Sequence, residues 1–233
     1  MKKAFVNCEV AQMIADSCKI EALPLLPYKR LDKPVSSHAD MLVYVLEGKI
    51  FTYEEYYEQN KTVFDIAKDD GYELLFVSKE CKREYPNDIA LNVLTVGKNL
   101  FGNLRQIAPE VIKCAEEYGY KLVNVKQGYS ACSTLVLNEN NIITADQSIY
   151  KATTQEKISS LFIASGEIEL KGYDYGFIGG ASFVLDNVVY FLGDIKTHSE
   201  YEKIKEMVDS LKMSICSISS GNVFDFGGIR FLD

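Results

Sequence analysis

The chain has 233 residues, 47% of them hydrophobic and 25% charged, a composition suited to a globular protein with a sizeable core. Its 33 acidic against 25 basic residues leave a net charge of -8, which disfavours a nucleic acid or an anionic membrane as partner and is compatible with a cationic small molecule. No stretch approaches the roughly 20 apolar residues of a membrane span. Asn7, Glu9, Gln12 and Asp16 interrupt any signal-peptide run, and the six cysteines have no zinc-site spacing, so the expectation is a reduced, cytoplasmic chain without a metal.

In chain order the sequence repeats with a period of roughly 45 residues, the mark of a repeat architecture. The first unit starts at His38-Ala39-Asp40, continues as a strand over 41–46, turns at Glu47-Gly48 and forms a second strand over 49–51. A helix opening on Thr52 and Glu55 in capping-box spacing follows, then a strand over 73–77. The second unit has a strand over 89–96, a turn at Gly97-Lys98, a helix over 109–118 that starts on proline, and a strand over 121–125. The third runs from Cys132 to Leu137, turns at Asn140-Asn141, continues over 142–144, and has a helix capped by Asp146 and a strand over 160–163. In the fourth, strands over 182–185 and 188–192 flank a turn at Asp186-Asn187. Tyr201, Ile204, Val208 and Leu211 then mark one face of a helix, and 214–218 closes the unit.

The fifth unit is split between the chain ends. Its first strand is 229–232; its second strand, helix and third strand are 3–6, 9–17 with Asn7 as cap, and 20–25. The expected architecture is one α/β domain over 1–233, a five-bladed α/β propeller of ββαβ units (38–87, 88–131, 132–180, 181–227, and 228–233 with 1–37). Pairing of the terminal strands closes the ring, and closure is expected to remove exposed sheet edges.

Three segments, His38-Ala39-Asp40, 124–134 (NVKQGYSACST) and 166–180 (GEIELKGYDYGFIGG), resemble an uncharacterised bacterial family of pentein-fold proteins along essentially the whole chain. The pentein fold, five such units in a ring, is shared by guanidino-group-modifying enzymes and by a non-enzymatic ribosome anti-association factor. The resemblance implies Cys132 as nucleophile, His38 as acid/base and Asp40 as the group that grips a guanidinium, with no cofactor. Asp88 and Asn92, flanking the start of the second unit's first strand, are further candidates for substrate binding. A histidine that pairs with a thiol supplies the thiolate such chemistry needs.

One departure from the enzyme pattern stands out. The two Gly-Gly strand starts, Gly179-Gly180 and Gly227-Gly228, have no acid directly beside them, and Arg230 brings a positive charge if it faces the cavity. A guanidinium would then lack a carboxylate, and an unpaired buried cation is costly. Each candidate also has a plainer reading: Cys132 as a small core residue, His38 as a loop cap, Asp40 as a backbone acceptor. Asp146 and Asp194 read as helix caps, His198 as an exposed residue of an outer helix, and the other five cysteines as packing residues in helices or outer strands. Two functions follow: a Cys/His-dependent hydrolase or amidinotransferase acting on a guanidine or amidine, or a non-catalytic binding module for a small ligand or macromolecular partner. The oligomeric state is left open.

Overall fold

The computed structural model describes residues 1–232, so Asp233, the last residue of the fifth expected unit, lies outside the described residues. Among the described residues fifteen strands form five separate three-stranded mixed sheets. Each has an inner strand antiparallel to a middle strand, which is parallel to an outer strand reached through a helical crossover.

The first complete sheet shows how sequence produces this unit. Strand β3 (Tyr44–Leu46) reverses through Glu47 and Gly48, at φ 49° and 72°, into β4 (Lys49–Thr52). Two consecutive left-handed residues are what a two-residue hairpin requires. Helices α3 (Glu54–Gln59) and α4 (Lys61–Asp69) then lead to the outer strand β5 (Glu73–Phe76). The second sheet is β6 (Leu94–Val96), β7 (Asn99–Gly102) and β8 (Lys121–Asn124), with α5 (Pro109–Glu117) between the last two. The third is β9 (Thr134–Asn138), β10 (Asn141–Thr144) and β11 (Ser159–Phe162), with α6 (Gln147–Gln155). The fourth is β12 (Ser182–Leu185), β13 (Val188–Phe191) and β14 (Ser214–Ser217), with α7 (Tyr201–Ser210).

The fifth sheet joins the chain ends as expected: β15 (Ile229–Leu232) pairs antiparallel with β1 (Lys3–Asn7), and β2 (Glu21–Leu25) pairs parallel with β1 across α1 (Ala11–Cys18). The pairing does not remove sheet edges, because the five sheets stay separate and each keeps a partly exposed outer strand. Apolar side chains at one rung of the middle strands, Phe5, Phe51, Phe101 and Ile143, are fully buried. Phe5, for one, packs against Phe64 of α4 with ring centroids 5.1 Å apart. Among the described residues no helix is long and apolar enough to cross a membrane.

Several local expectations are corrected. The apolar run 41–46 is one strand only in its second half; Ala39–Leu42 is a helical turn, buried on every side, so apolar continuity there carries no strand signal. Likewise 89–93 is loop and only 94–96 is strand. Thr52 is no helix cap: its hydroxyl donates to the Leu42 carbonyl at 2.9 Å, and the helix starts after Tyr53. Helix α1 starts after Val10, while Asn7 accepts from the Glu9 amide in the preceding turn. Cys8 and Cys81 lie in loops. His198 is 3% exposed, because its Nδ1 accepts from the Glu200 amide and folds the ring under α7.

Asp146 does cap α6, accepting from the Ser148 and Ile149 amides. Asp146→Ala is expected to cost about 1 to 2 kcal/mol, read as a lower midpoint in urea unfolding with an unchanged slope.

Candidate active site

Four of the five inner strands are preceded by a segment that delivers a polar side chain to the centre. Before β3, His38 stands at the N-terminus of the Ala39–Leu42 turn and Asp40 within it; the Asp40 amide donates to the Gly227 carbonyl at 3.1 Å. Ahead of β6 come Asp88 and Asn92, and ahead of β9 comes Cys132. Asp225 precedes β15. All six are buried.

Cys132 Sγ donates to Asp40 Oδ2 at 2.8 Å and accepts from Asn92 Nδ2 at 2.9 Å. Asn92 also holds the segment in place, its Oδ1 accepting from the Ala131 and Cys132 amides at 2.9 and 3.3 Å. Among the described residues the thiol's partners are therefore Asp40 and Asn92; the expected pairing of thiol with His38 is replaced by a thiol–carboxylate hydrogen bond. His38 faces a different carboxylate, with Nδ1 3.7 Å from Asp225 Oδ1.

Asp225 is the acid that the Gly-Gly reading missed. It lies two residues before Gly227, and its Oδ1 and Oδ2 accept from the Gly227 and Phe177 amides, both at 2.9 Å. The glycines are what let it fit. A Cβ on Gly180 would lie 2.1 Å from Asp225 Oδ1, and one on Gly227, at φ 86°, would lie 2.3 Å from the His38 Cβ. The signal in the sequence is an acid two residues before the Gly-Gly pair and not directly beside it.

His38, Cys132 and Asp225 line one cavity of about 230 Å³. The rest of its wall is mostly aromatic and aliphatic, with Tyr129, Tyr173, Tyr175 and Phe177 prominent and Asp174 as a further carboxylate. Asp40 and Asn92 are 1% exposed and stand behind Cys132. Asp88 is also set back; its Oδ2 accepts from the Tyr129 hydroxyl at 2.6 Å, so it reaches the cavity through that ring.

The field here is negative and poorly solvated. Burial pushes the Asp40 carboxyl up to about 6, with Arg230 and His38 opposing the shift. Burial also raises Asp225, against the pull of His38 and two backbone amides. The Cys132 thiol is held well above its usual value by burial first and by Asp40 and Asp225 next. At neutral pH the thiol is protonated. Arg230, anticipated as a charge beside the candidate residues, does not line this cavity.

Five three-stranded mixed sheets, each with its inner strand at a common centre, match the pentein fold, a likeness that solved structures share. Dimethylarginine dimethylaminohydrolase from Pseudomonas aeruginosa, complexed with citrulline, superimposes with a TM-score of 0.62 at 13% identity, covering 99% of each chain. Inosamine-phosphate amidinotransferase from Streptomyces griseus gives 0.58 at 10% identity over 95% of this chain and 78% of its own. Agmatine deiminase from C. jejuni gives 0.55 at 8% identity over 94% and 87%. The chain belongs to the family of unknown function DUF6873, which it matches over residues 6–230. No curated protein matches it in sequence.

Because the Asp40 carboxyl is raised from an ordinary 3.8 to about 6, the folded chain holds a proton between those values that the unfolded chain has released. This contribution to stability is present in acid and is lost as pH rises through about 6. Asp40→Asn, which cannot ionise, is expected to be more stable than the wild type at pH 8 by up to ~3 kcal/mol. Its advantage should vanish by about pH 4. Thermal unfolding of both proteins across this range checks it; a difference independent of pH would contradict the assignment.

Proposed function

We propose that this chain is a cysteine-dependent hydrolase or amidinotransferase acting on a guanidine or amidine. The observation that carries the reading is that the Cys132 thiol and the His38 imidazole share one cavity, each backed by its own buried carboxylate, Asp40 and Asp225. The solved structures with this fold include a dimethylarginine dimethylaminohydrolase, an amidinotransferase and an agmatine deiminase, which supports that chemistry.

The resting thiol is too weakly acidic to attack unaided. A planar cation entering beside Asp225 adds the positive charge that the two carboxylates lack, and so lowers the cost of a thiolate. Asp40, at 2.8 Å from Sγ, takes the thiol proton. This differs from the expected guanidinium grip and follows from its place behind the sulfur. Sulfur then bonds to the central carbon of the substrate, and the C–N bond to the leaving amine breaks as His38 gives that nitrogen a proton. A thiouronium remains on Cys132. Water, losing a proton to His38, attacks the same carbon; the C–S bond breaks, and the sulfur recovers its proton from Asp40. An amine in place of water makes the reaction a transfer.

The wall also favours a substrate type. Among the described residues no lysine or arginine lines the cavity, while four aromatic rings and Val35, Met41 and Leu170 do. A guanidine with an apolar or cationic tail fits that surface.

Chloroacetamidine and the neutral, isosteric chloroacetamide test this together. With the cation, labelling at Cys132 is expected to be at least tenfold faster near neutral pH, to disappear in Cys132→Ser and to slow in His38→Ala. Intact mass and peptide mapping report the site. Equal rates for the two probes, or labelling spread over several cysteines, would remove the basis for the proposal.

A further inference from the structure

The five inner strands each place one residue at a common rung of their ladders. Opposite Phe51, Phe101, Ile143, Tyr190 and Phe5 stand Tyr44, Leu94, Leu135, Phe183 and Arg230. Four of these are aromatic or aliphatic; the fifth is a guanidinium. Arg230 lines a second cavity, of about 280 Å³, bounded by residues from all five inner strands, Tyr44, Thr95, Thr134 and Ser182 among them. It shares no wall residue with the cavity of His38 and Cys132. Val45, Thr95, Val136 and Val184 on its wall are half-buried, so solvent reaches it.

The guanidinium is poorly matched within the chain. Its Nη1 donates to the Ile229 carbonyl at 3.3 Å, but Nε and Nη2 are buried and have no partner among the described residues. Among the described residues no carboxylate forms an ion pair with it, and no Asp or Glu lines the cavity. Nε and Nη2 form one edge of the guanidinium, whose two parallel N–H groups match the two oxygens of a carboxylate. A second donor is at hand. The Tyr44 hydroxyl and Thr95 Oγ1 are 2.6 Å apart and need only one of their two protons for that bond, which leaves the other for an acceptor in the cavity.

We propose that this central cavity is a binding site for a small carboxylate, held bidentately by the Nε/Nη2 edge of Arg230. The site is separate from the reacting centre and stands whether or not Cys132 is a nucleophile. Its occupancy is coupled to that centre through charge, because Arg230 opposes the upward shift of Asp40 and a bound carboxylate cancels that help.

The test is a titration with 13C-formate followed by NMR line width, at constant ionic strength set with sodium chloride. Saturable broadening is expected in the wild type. The affinity should fall at least tenfold in Arg230→Lys, which keeps the charge and loses the fork, and in Val45→Phe, which narrows the cavity and keeps the arginine. Acetate should displace formate, and benzoate should do so if the cavity takes an aromatic acid. Non-saturable broadening in the wild type, or equal affinity in wild type and Val45→Phe, would overturn the proposal even if Arg230→Lys failed to fold. Displacement by chloride as effective as by acetate would overturn it too, by showing a halide site.

Discussion

Two carboxylates, Asp40 and Asp225, are buried at the centre of this protein with no lysine or arginine in ion-pair contact among the described residues. Much of the site's behaviour follows from the cost of that arrangement. The direct hydrogen-bond donors to each acid are neutral, two backbone amides for Asp225 and the Cys132 thiol for Asp40, while Arg230 and His38 act on Asp40, and His38 on Asp225, through charge at longer range. A thiol that donates to a carboxylate cannot readily lose its proton, so the group that partly satisfies Asp40 is thereby kept unreactive. The centre is poised for a positive charge.

The backbone around these acids is shaped to permit their burial. Gly180 connects both sides: its amide donates to the Cys132 carbonyl, and its carbonyl accepts from the Phe226 and Gly228 amides. Its missing side chain is the space the Asp225 carboxylate occupies. Gly227, in a left-handed conformation, lets the chain pass against His38 and return an amide to Asp225. Both Gly-Gly pairs are therefore part of the electrostatics, since they set the distance between acid, imidazole and sulfur.

This division explains what was legible in the sequence. Turn chemistry and helix spacing expose the five units, because Glu47-Gly48 and Asp186-Asn187 adopt the left-handed conformations that hairpins need and α7 buries Ile204 and Val208 as its spacing implies. The segments before the inner strands were harder to read. Residues 39–42 and 89–93 are buried on all sides, so neither a period of two nor one of 3.6 survives there and helix, loop and strand look alike. Resemblance to the pentein enzymes points to His38, Asp40 and Cys132, and position beside a strand start points to Asn92. That the thiol would bond to Asp40, or that Asp225 would supply the second acid, depends on how separate units meet in space. His198 was misjudged for the same reason: an outer helix suggested exposure, and only the packing of the 195–200 turn shows the ring buried.

Burial of the thiol looks at first like an argument against reactivity, since a cysteine made much less acidic than usual is inert toward neutral electrophiles. In this setting inertness and selectivity have one cause. Any small electrophile reaches Cys132 through a cavity walled by aromatic rings, and the sulfur meets it as a thiol unless the newcomer brings positive charge next to Asp225. A neutral molecule changes nothing in that balance. Under the proposed function, a planar cation changes it in proportion to how closely it approaches both carboxylates, and the same desolvation that keeps the resting cysteine protonated would concentrate its reactivity on ligands of one charge and shape. Arg230 stands outside this cavity, and that placement matters: it moderates the field on Asp40 without occupying the space a cationic ligand would need.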